Sequence, residues 1–156
     1  MARILLIDPC GWQGGVSSDN VFPNIGIAYL TASLRAAAHD VYVADMNNQF
    51  LSNDDIVQIM QSEQINIVGI SIKTSTMSAA RRLGIVLKQR FNCKILLGGA
   101  HASLNADLLI REPWVDHVFL GEAEESLPLF CNDPSSVHQN VEGVLSSCES
   151  SARPVH

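Results

Sequence analysis

A chain of 156 residues, 47% hydrophobic and 17% charged, is long enough to bury one ordinary core and fits a single domain. Its net charge of -6, with no block of Lys or Arg, argues against a nucleic-acid or anionic-membrane partner. No apolar run approaches the roughly 18 residues of a membrane span, and Met1-Ala2-Arg3 leads into an apolar strand without a signal-peptide layout, so a cytoplasmic protein is expected.

Along the chain, strand-like and helix-like segments alternate. Ala2 to Asp8 is an almost continuous apolar run ending in an acid, as in a strand covered on both faces. A glycine-rich stretch, Pro9 to Pro23, leads to a helix over Asn24 to Ala38, where Asn24 can cap the start and Ile27, Leu30, Leu34 and Ala38 recur at helical spacing. Asp40 to Met46 reads as a strand, and Ser52-Asn53-Asp54-Asp55 opens a helix with Ile56, Ile59 and Met60 on one face. The alternation continues with a strand over Ile65 to Ile72, a helix over Ser78 to Phe91 and a strand over Cys93 to Leu97. A short helix over Asn105 to Arg111, a strand over Asp116 to Leu120 and a helix over Glu124 to Cys131 follow.

Five such units predict an α/β fold: a doubly wound, five-stranded parallel sheet with helices on both faces, Rossmann-like in build and flavodoxin-like in its order 2-1-3-4-5. The predicted domain is 1–132. Residues 133–156 are rich in Ser, Pro and His and read as a linker or the start of a further domain, with one apolar patch, Val141 to Leu145, that either frays or lies back as a short strand. Cys10, Cys93, Cys131 and Cys148 form no C-x-x-C pair and no zinc or iron-sulfur spacing, so they are expected to be reduced thiols.

In an open sheet of this kind, ligands bind beyond the carboxyl ends of the strands. The loops there read Asp8-Pro9-Cys10-Gly11-Trp12-Gln13-Gly14-Gly15, Ser71-Ile72-Lys73-Thr74-Ser75-Thr76, Gly98-Gly99-Ala100-His101-Ala102-Ser103 and Gly121-Glu122-Ala123-Glu124. Any one of them could be a plain turn or helix cap. Four small-residue loops on one rim instead offer backbone N–H groups and hydroxyls to a large flat ligand. Gly11, Gly14 and Gly15 do not give the G-x-G-x-x-G of a dinucleotide site, and no P-loop is present. Ser71 stands where a response-regulator receiver has its phosphoacceptor Asp, and Asp8-Pro9-Cys10 is not the hydroxyl-rich loop of a flavodoxin.

The series NIGIAYLTASLR, HDVYVADM, INIVGISIKTSTMSAA, ILLGGAHAS and VDHVFLGEAEESL resembles the amino-terminal cobalamin-binding domain of cobalamin-dependent radical S-adenosylmethionine enzymes, over about Ala2 to Phe130. The resemblance implies a cofactor domain that holds cobalamin, the vitamin B12 corrinoid, at the ends of the strands. It also implies a radical S-adenosylmethionine catalytic domain, in cis or in trans, as partner. S-adenosylmethionine and a [4Fe-4S] cluster would belong to that other domain, because this chain has no C-x-x-x-C-x-x-C; alone it would not be catalytic. The parent activity implied is a methyltransferase, in which cobalt takes a methyl group from one S-adenosylmethionine and passes it to a substrate radical made with a second. The D-x-H-x-x-G that supplies a lower axial histidine in other cobalamin domains is absent here.

Carried onto this chain, the resemblance gives Ser71, Thr74, Ser75 and Ser103 hydrogen bonds to the nucleotide tail or to the corrin amide arms. Gly98 and Gly99 let the tail approach closely, so that a side chain at Gly99 is expected to collide with ligand and not with protein. Ala100, Gly121 and Glu122 complete the set. His101 is expected to pack on the tail and not to ligate cobalt, since it follows the fourth strand; no residue is assigned to a metal. Lys73 could meet the tail phosphate, but a lone loop lysine is more often solvated. Glu122 and Glu124 have an equal explanation as acids at a helix start, and Trp114 and His117 are expected to be packing residues. The rival reading is a regulatory or interaction module that kept the fold and lost the ligand.

Overall fold

A computed structural model of the chain describes residues 1–11, 22–134 and 141–147. Among them a six-stranded sheet runs in the order β2-β1-β3-β4-β5-β6. Its strands are β1 (Arg3–Asp8), β2 (Asp40–Asp45), β3 (Ile67–Ser71), β4 (Lys94–Gly98), β5 (His117–Phe119) and β6 (Val144–Ser146). The helices are α1 (Ile25–Ala36), α2 (Asn53–Ser62), α3 (Met77–Arg90), α4 (Ala100–Leu109) and α5 (Ser126–Asn132), with a single 3₁₀ turn at Thr74–Thr76 before α3.

The first five strands are parallel and follow the expected order. The sixth is a correction to the five-stranded expectation. β6 pairs antiparallel with β5, His117 opposite Ser146 and Phe119 opposite Val144. It is the Val141–Leu145 patch that takes this edge: Gly143 turns the chain at a φ of +81°, its carbonyl accepts from Leu120 N at 2.7 Å, and Val144 and Leu145 then pack on opposite faces of the sheet. A crossover helix is needed only between parallel strands, so a short return strand suffices here.

Alternation along the strands sends side chains into two cores. Leu5, Ile7, Val68, Ile70, Ile95, Leu97 and Val118 meet Ile56, Val57 and Met60 of α2, Ala80, Leu83 and Leu87 of α3, and Ala102, Ala106 and Leu109 of α4. On the other face Ile4, Leu6, Ile67, Leu96 and Phe119 meet Ile27 and Leu34 of α1 and Leu127, Phe130 and Cys131 of α5. Trp114 is almost fully buried in the first core. His117 is buried between the Ser146 hydroxyl, 2.9 Å from its Nδ1, and the Phe130 ring, edge-on at 4.7 Å. Both are packing residues, as expected.

Helix starts follow their capping residues. Asn24 Oδ1 accepts from Ile27 N, and Ser52 and Asp55 form a reciprocal capping box on α2, which satisfies amides that would otherwise face solvent unpaired. α4 departs from expectation because it begins at Ala100, five residues before the expected Asn105. Gly99 takes φ +98° and ψ 177°, a conformation essentially closed to other residues, and turns β4 directly into the helix. Residues 100–103 are therefore the first helical turn and not a loop. The expected start, Asn105, is a kink within α4 (φ -124°, ψ 21°), where its Nδ2 donates to the His101 carbonyl.

Candidate cofactor-binding site

Beyond the carboxyl ends of β3, β4 and β5 the second core is incomplete. A cavity of about 470 Å³ opens between the sheet, α1 and α5, within the roughly 300–1,000 Å³ usual for small-molecule sites. Strand alternation explains where it lies. Ile67, Gly69 and Ser71 of β3 share a face, as do Leu96 and Gly98 of β4; toward the strand ends, glycine and serine replace the large apolar residues that fill this layer deeper in. The buried side chains of Leu6, Ile27, Leu96, Phe119 and Leu127 form an apolar floor, while exposed Ile25, Tyr29, Gly121 and Glu122 form the mouth.

Two adjacent glycines on this lining have different reasons to be glycine. A β-carbon built on Gly98 would meet nothing within 4 Å, so the space above it is open for a ligand. One built on Gly99 would lie 2.8 Å from the Ile72 carbonyl oxygen and 3.1 Å from Ile72 N. The expectation for Gly99 is thus corrected: a side chain there collides with the protein's own β3 loop, whose backbone comes that close because Ile72 N donates to Gly98 O at 2.8 Å and His101 N to Ile72 O at 3.3 Å. Of the pair, Gly98 alone faces open space.

Of the expected site residues, Ser71, Gly98, Gly99, Ala100, Gly121 and Glu122 line the cavity. Thr74, Ser75, His101 and Ser103 do not, and form the rim beside it. Thr74 Oγ1 and His101 Nδ1 are hydrogen-bonded at 3.1 Å. Ser103 Oγ accepts from Gly121 N at 2.9 Å and donates to Gly99 O at 3.3 Å, which ties the loops after β4 and β5 together. Ser75 presents its carbonyl oxygen 2.6 Å from where a β-carbon on Gly11 would stand, so the β1 loop approaches the 3₁₀ turn as closely as glycine allows. Ser71 Oγ accepts from Asn24 Nδ2 at 3.2 Å; Asn24 therefore caps α1 and anchors it to the end of β3 with one side chain.

Several lining residues are not in the loop motifs. Gly69, Tyr29 and Leu127 are brought there by packing, and only Gly69 carries a sequence signal, as a glycine inside a strand where another group comes close. Its missing side chain makes room for Leu6, whose Cδ2 would sit 2.8 Å from a β-carbon. Glu122 and Glu124 precede α5, whose first turn contains no acid, and both line the cavity. The described thiols with shifted acidity lie elsewhere: burial raises Cys93, and pushes Cys131 up to about 12.

The chain matches the B12 binding domain family over residues 13–130. It belongs to that family. An uncharacterized methyltransferase of Pyrococcus horikoshii is 35% identical over 104 residues, 65% of this chain and 22% of that protein. The anaerobic magnesium-protoporphyrin IX monomethyl ester cyclase of Rubrivivax gelatinosus is 29% identical over 126 residues, 79% of this chain and 23% of the cyclase. The chain thus spans less than a quarter of the length of these relatives. Its fold is that of a part of OxsB, a cobalamin-dependent S-adenosylmethionine radical enzyme solved with aqua-cobalamin (TM-score 0.79, 16% identity, 92% of this chain and 20% of OxsB). It is also that of a part of TsrM from Kitasatospora setae, a radical S-adenosylmethionine methyltransferase (TM-score 0.78, 14% identity, 94% of this chain and 28% of TsrM). As a B12-binding domain, the chain has cobalamin as its cofactor class.

Proposed function

We propose that this domain holds cobalamin with the corrin ring over the carboxyl ends of β1, β3 and β4 and the nucleotide tail in the cavity under α1 and α5. The observation that carries this reading is the open face of Gly98: the sheet omits a side chain where no protein atom needs the room. Gly98 and the apolar floor take the tail's aromatic base, Ser71 and Asn24 offer hydroxyl and amide groups above it, and the linked Thr74 and His101 with Ser103 form the shelf beside the ring. Bound cobalamin would supply a cobalt centre able to carry a methyl group; the domain's own work is to position it and keep it from bulk water.

The lower axial position receives no protein histidine in this reading. His39, His101 and His117 are the described histidines; His39 accepts from Ala2 N at the opposite end of the strands, His117 is buried in β5, and His101 sits on α4 with Nδ1 engaged by Thr74. A radical S-adenosylmethionine catalytic domain, in cis or in trans, would use the loaded cofactor in methyl transfer, as the relatives' names suggest. Residues 133–156 would form the connection to it, with β6 as the point where that connection is tied to the sheet. Cobalamin binding would place the domain with intracellular methyl-transfer chemistry.

Titration with hydroxocobalamin followed by ultraviolet-visible spectroscopy tests the reading: a corrin spectrum that stays with the protein through gel filtration is expected, and a folded protein that retains none would favour a ligand-free interaction module. Electron paramagnetic resonance of the bound cob(II)alamin form should show no axial nitrogen splitting. A splitting that disappears in His101→Ala would make that histidine a lower ligand.

A further inference from the structure

On the cavity lining, Lys73 is the one cation among the described residues. With 57% of its side chain exposed it would ordinarily be a solvated lysine. It is not placed like one. Its Nζ lies 3.6 Å from Asp8 Oδ2, and Asp8, at the end of β1, is only 8% exposed. Strand alternation puts Asp8 on the face of Ile4 and Leu6, the same face as the cavity. The second carboxylate oxygen, Oδ1, is buried without a hydrogen-bond partner among the described residues. A buried, half-satisfied carboxylate is costly unless a cation stands near it.

The surroundings make a cation useful at this point. Glu122 and Glu124 line the same cavity and the chain carries a net charge of -6, so an anionic ligand would meet repulsion at the mouth. We infer that Asp8 and Lys73 form an anion subsite: the buried carboxylate holds the ammonium at the cavity mouth, and the ammonium pairs with the phosphodiester that joins the nucleotide tail to the corrin. This rests on the cobalamin reading above and adds to it a selectivity. Complete corrinoids carry that phosphate; cobinamide, which ends at the aminopropanol arm, does not. The pair therefore favours complete corrinoids on charge, independently of how well the cavity fits the base.

The test titrates the full chain with hydroxocobalamin and with aquocobinamide. Lys73→Met should weaken cobalamin about tenfold, equivalent to roughly 1.4 kcal/mol, and leave cobinamide within about twofold; Lys73→Arg should restore most of the loss. The cobalamin affinity of the wild type should fall with added salt more steeply than that of Lys73→Met. In an Asp8→Asn background the Lys73→Met loss should shrink below about threefold, because the ammonium no longer has a fixed place. Equal losses for both corrinoids, or none for cobalamin, would overturn the subsite, and an unchanged tenfold loss in the Asp8→Asn background would remove Asp8 from it. A wild-type chain that binds neither corrinoid would instead overturn the cofactor reading on which the subsite rests.

Discussion

Gly84 and Gly98 lie on opposite faces of one sheet, and the difference between them describes the molecule. A β-carbon on Gly84 of α3 would run into the indole of Trp114; on that face, under α2, α3 and α4, glycine is the hole that a neighbouring side chain fills. A β-carbon on Gly98 would meet nothing within 4 Å; at this end of β4, on the face under α1 and α5, glycine is a hole that the protein leaves open. Interiors normally close to crystal-like density, so a layer that stops short of filling itself at the ligand-binding edge is arranged for something else to complete it. The first face holds the sheet together and the second is built around the cavity.

Trp114→Ala should give the largest effect and should be felt in stability alone. Emptying a site of that size in the packed face is expected to cost about 3–5 kcal/mol, read as a lower denaturation midpoint in urea. A small loss would mean that the two faces are packed alike and the contrast is wrong. Gly98→Leu should do the opposite: it fills the open space, so hydroxocobalamin affinity should drop at least about 100-fold, roughly 2.7 kcal/mol, while the urea midpoint holds or rises. Retained affinity would move the nucleotide tail elsewhere.

Gly99→Leu sharpens the same contrast, because it sits next to Gly98 and yet belongs with the protein's own contacts. Its φ of +98° and the Ile72 oxygen 2.8 Å from a β-carbon predict a stability loss of about 1–3 kcal/mol, so any lost binding there would follow from misfolding. The smallest expected effect is chemical. Cys93 belongs to the packed core and Cys131 to the cavity-side core, and burial raises both thiols, Cys131 to about 12. Only the thiolate alkylates, so iodoacetamide at neutral pH should modify both slowly, at rates that climb as pH rises toward the raised values. Hydroxocobalamin should slow Cys131 about threefold by holding α5 closed and leave Cys93 unchanged; equal protection of the two would show that the faces open together.

Much of this arrangement was legible in the residues. Apolar runs a few residues long, separated by helical periodicities, announce a parallel sheet covered on both faces, and Asn24 and Ser52 with Asp55 mark helix starts that the structure keeps. The loops that carry Ser71, Gly98, Gly99, Ala100, Gly121 and Glu122 were readable as one rim because strand direction alone brings them to one edge. The pattern was weaker where local preference met a longer-range demand. α4 starts at Ala100 because Gly99 turns the chain against the Ile72 backbone, and Ala100-His101-Ala102-Ser103, although alanine favours helix, has no capping side chain before it to mark a first turn. β6 forms because the outer edge of β5 has unpaired backbone groups, a need that three residues of weak strand pattern can meet only in context.

The sequence by itself determined the alternation of elements, the order of the parallel strands and the family, since periodicity, crossover handedness and a distributed set of small-residue motifs are all written along the chain. Tertiary structure alone decided which of two adjacent glycines faces open space, that Leu127 and Tyr29 close a cavity with Gly69, and that Asp8 reaches Lys73 from another strand. Those outcomes depend on distances between segments far apart in the chain, where a difference of an ångström separates a filled hole from an open one, and no local pattern of residues encodes it.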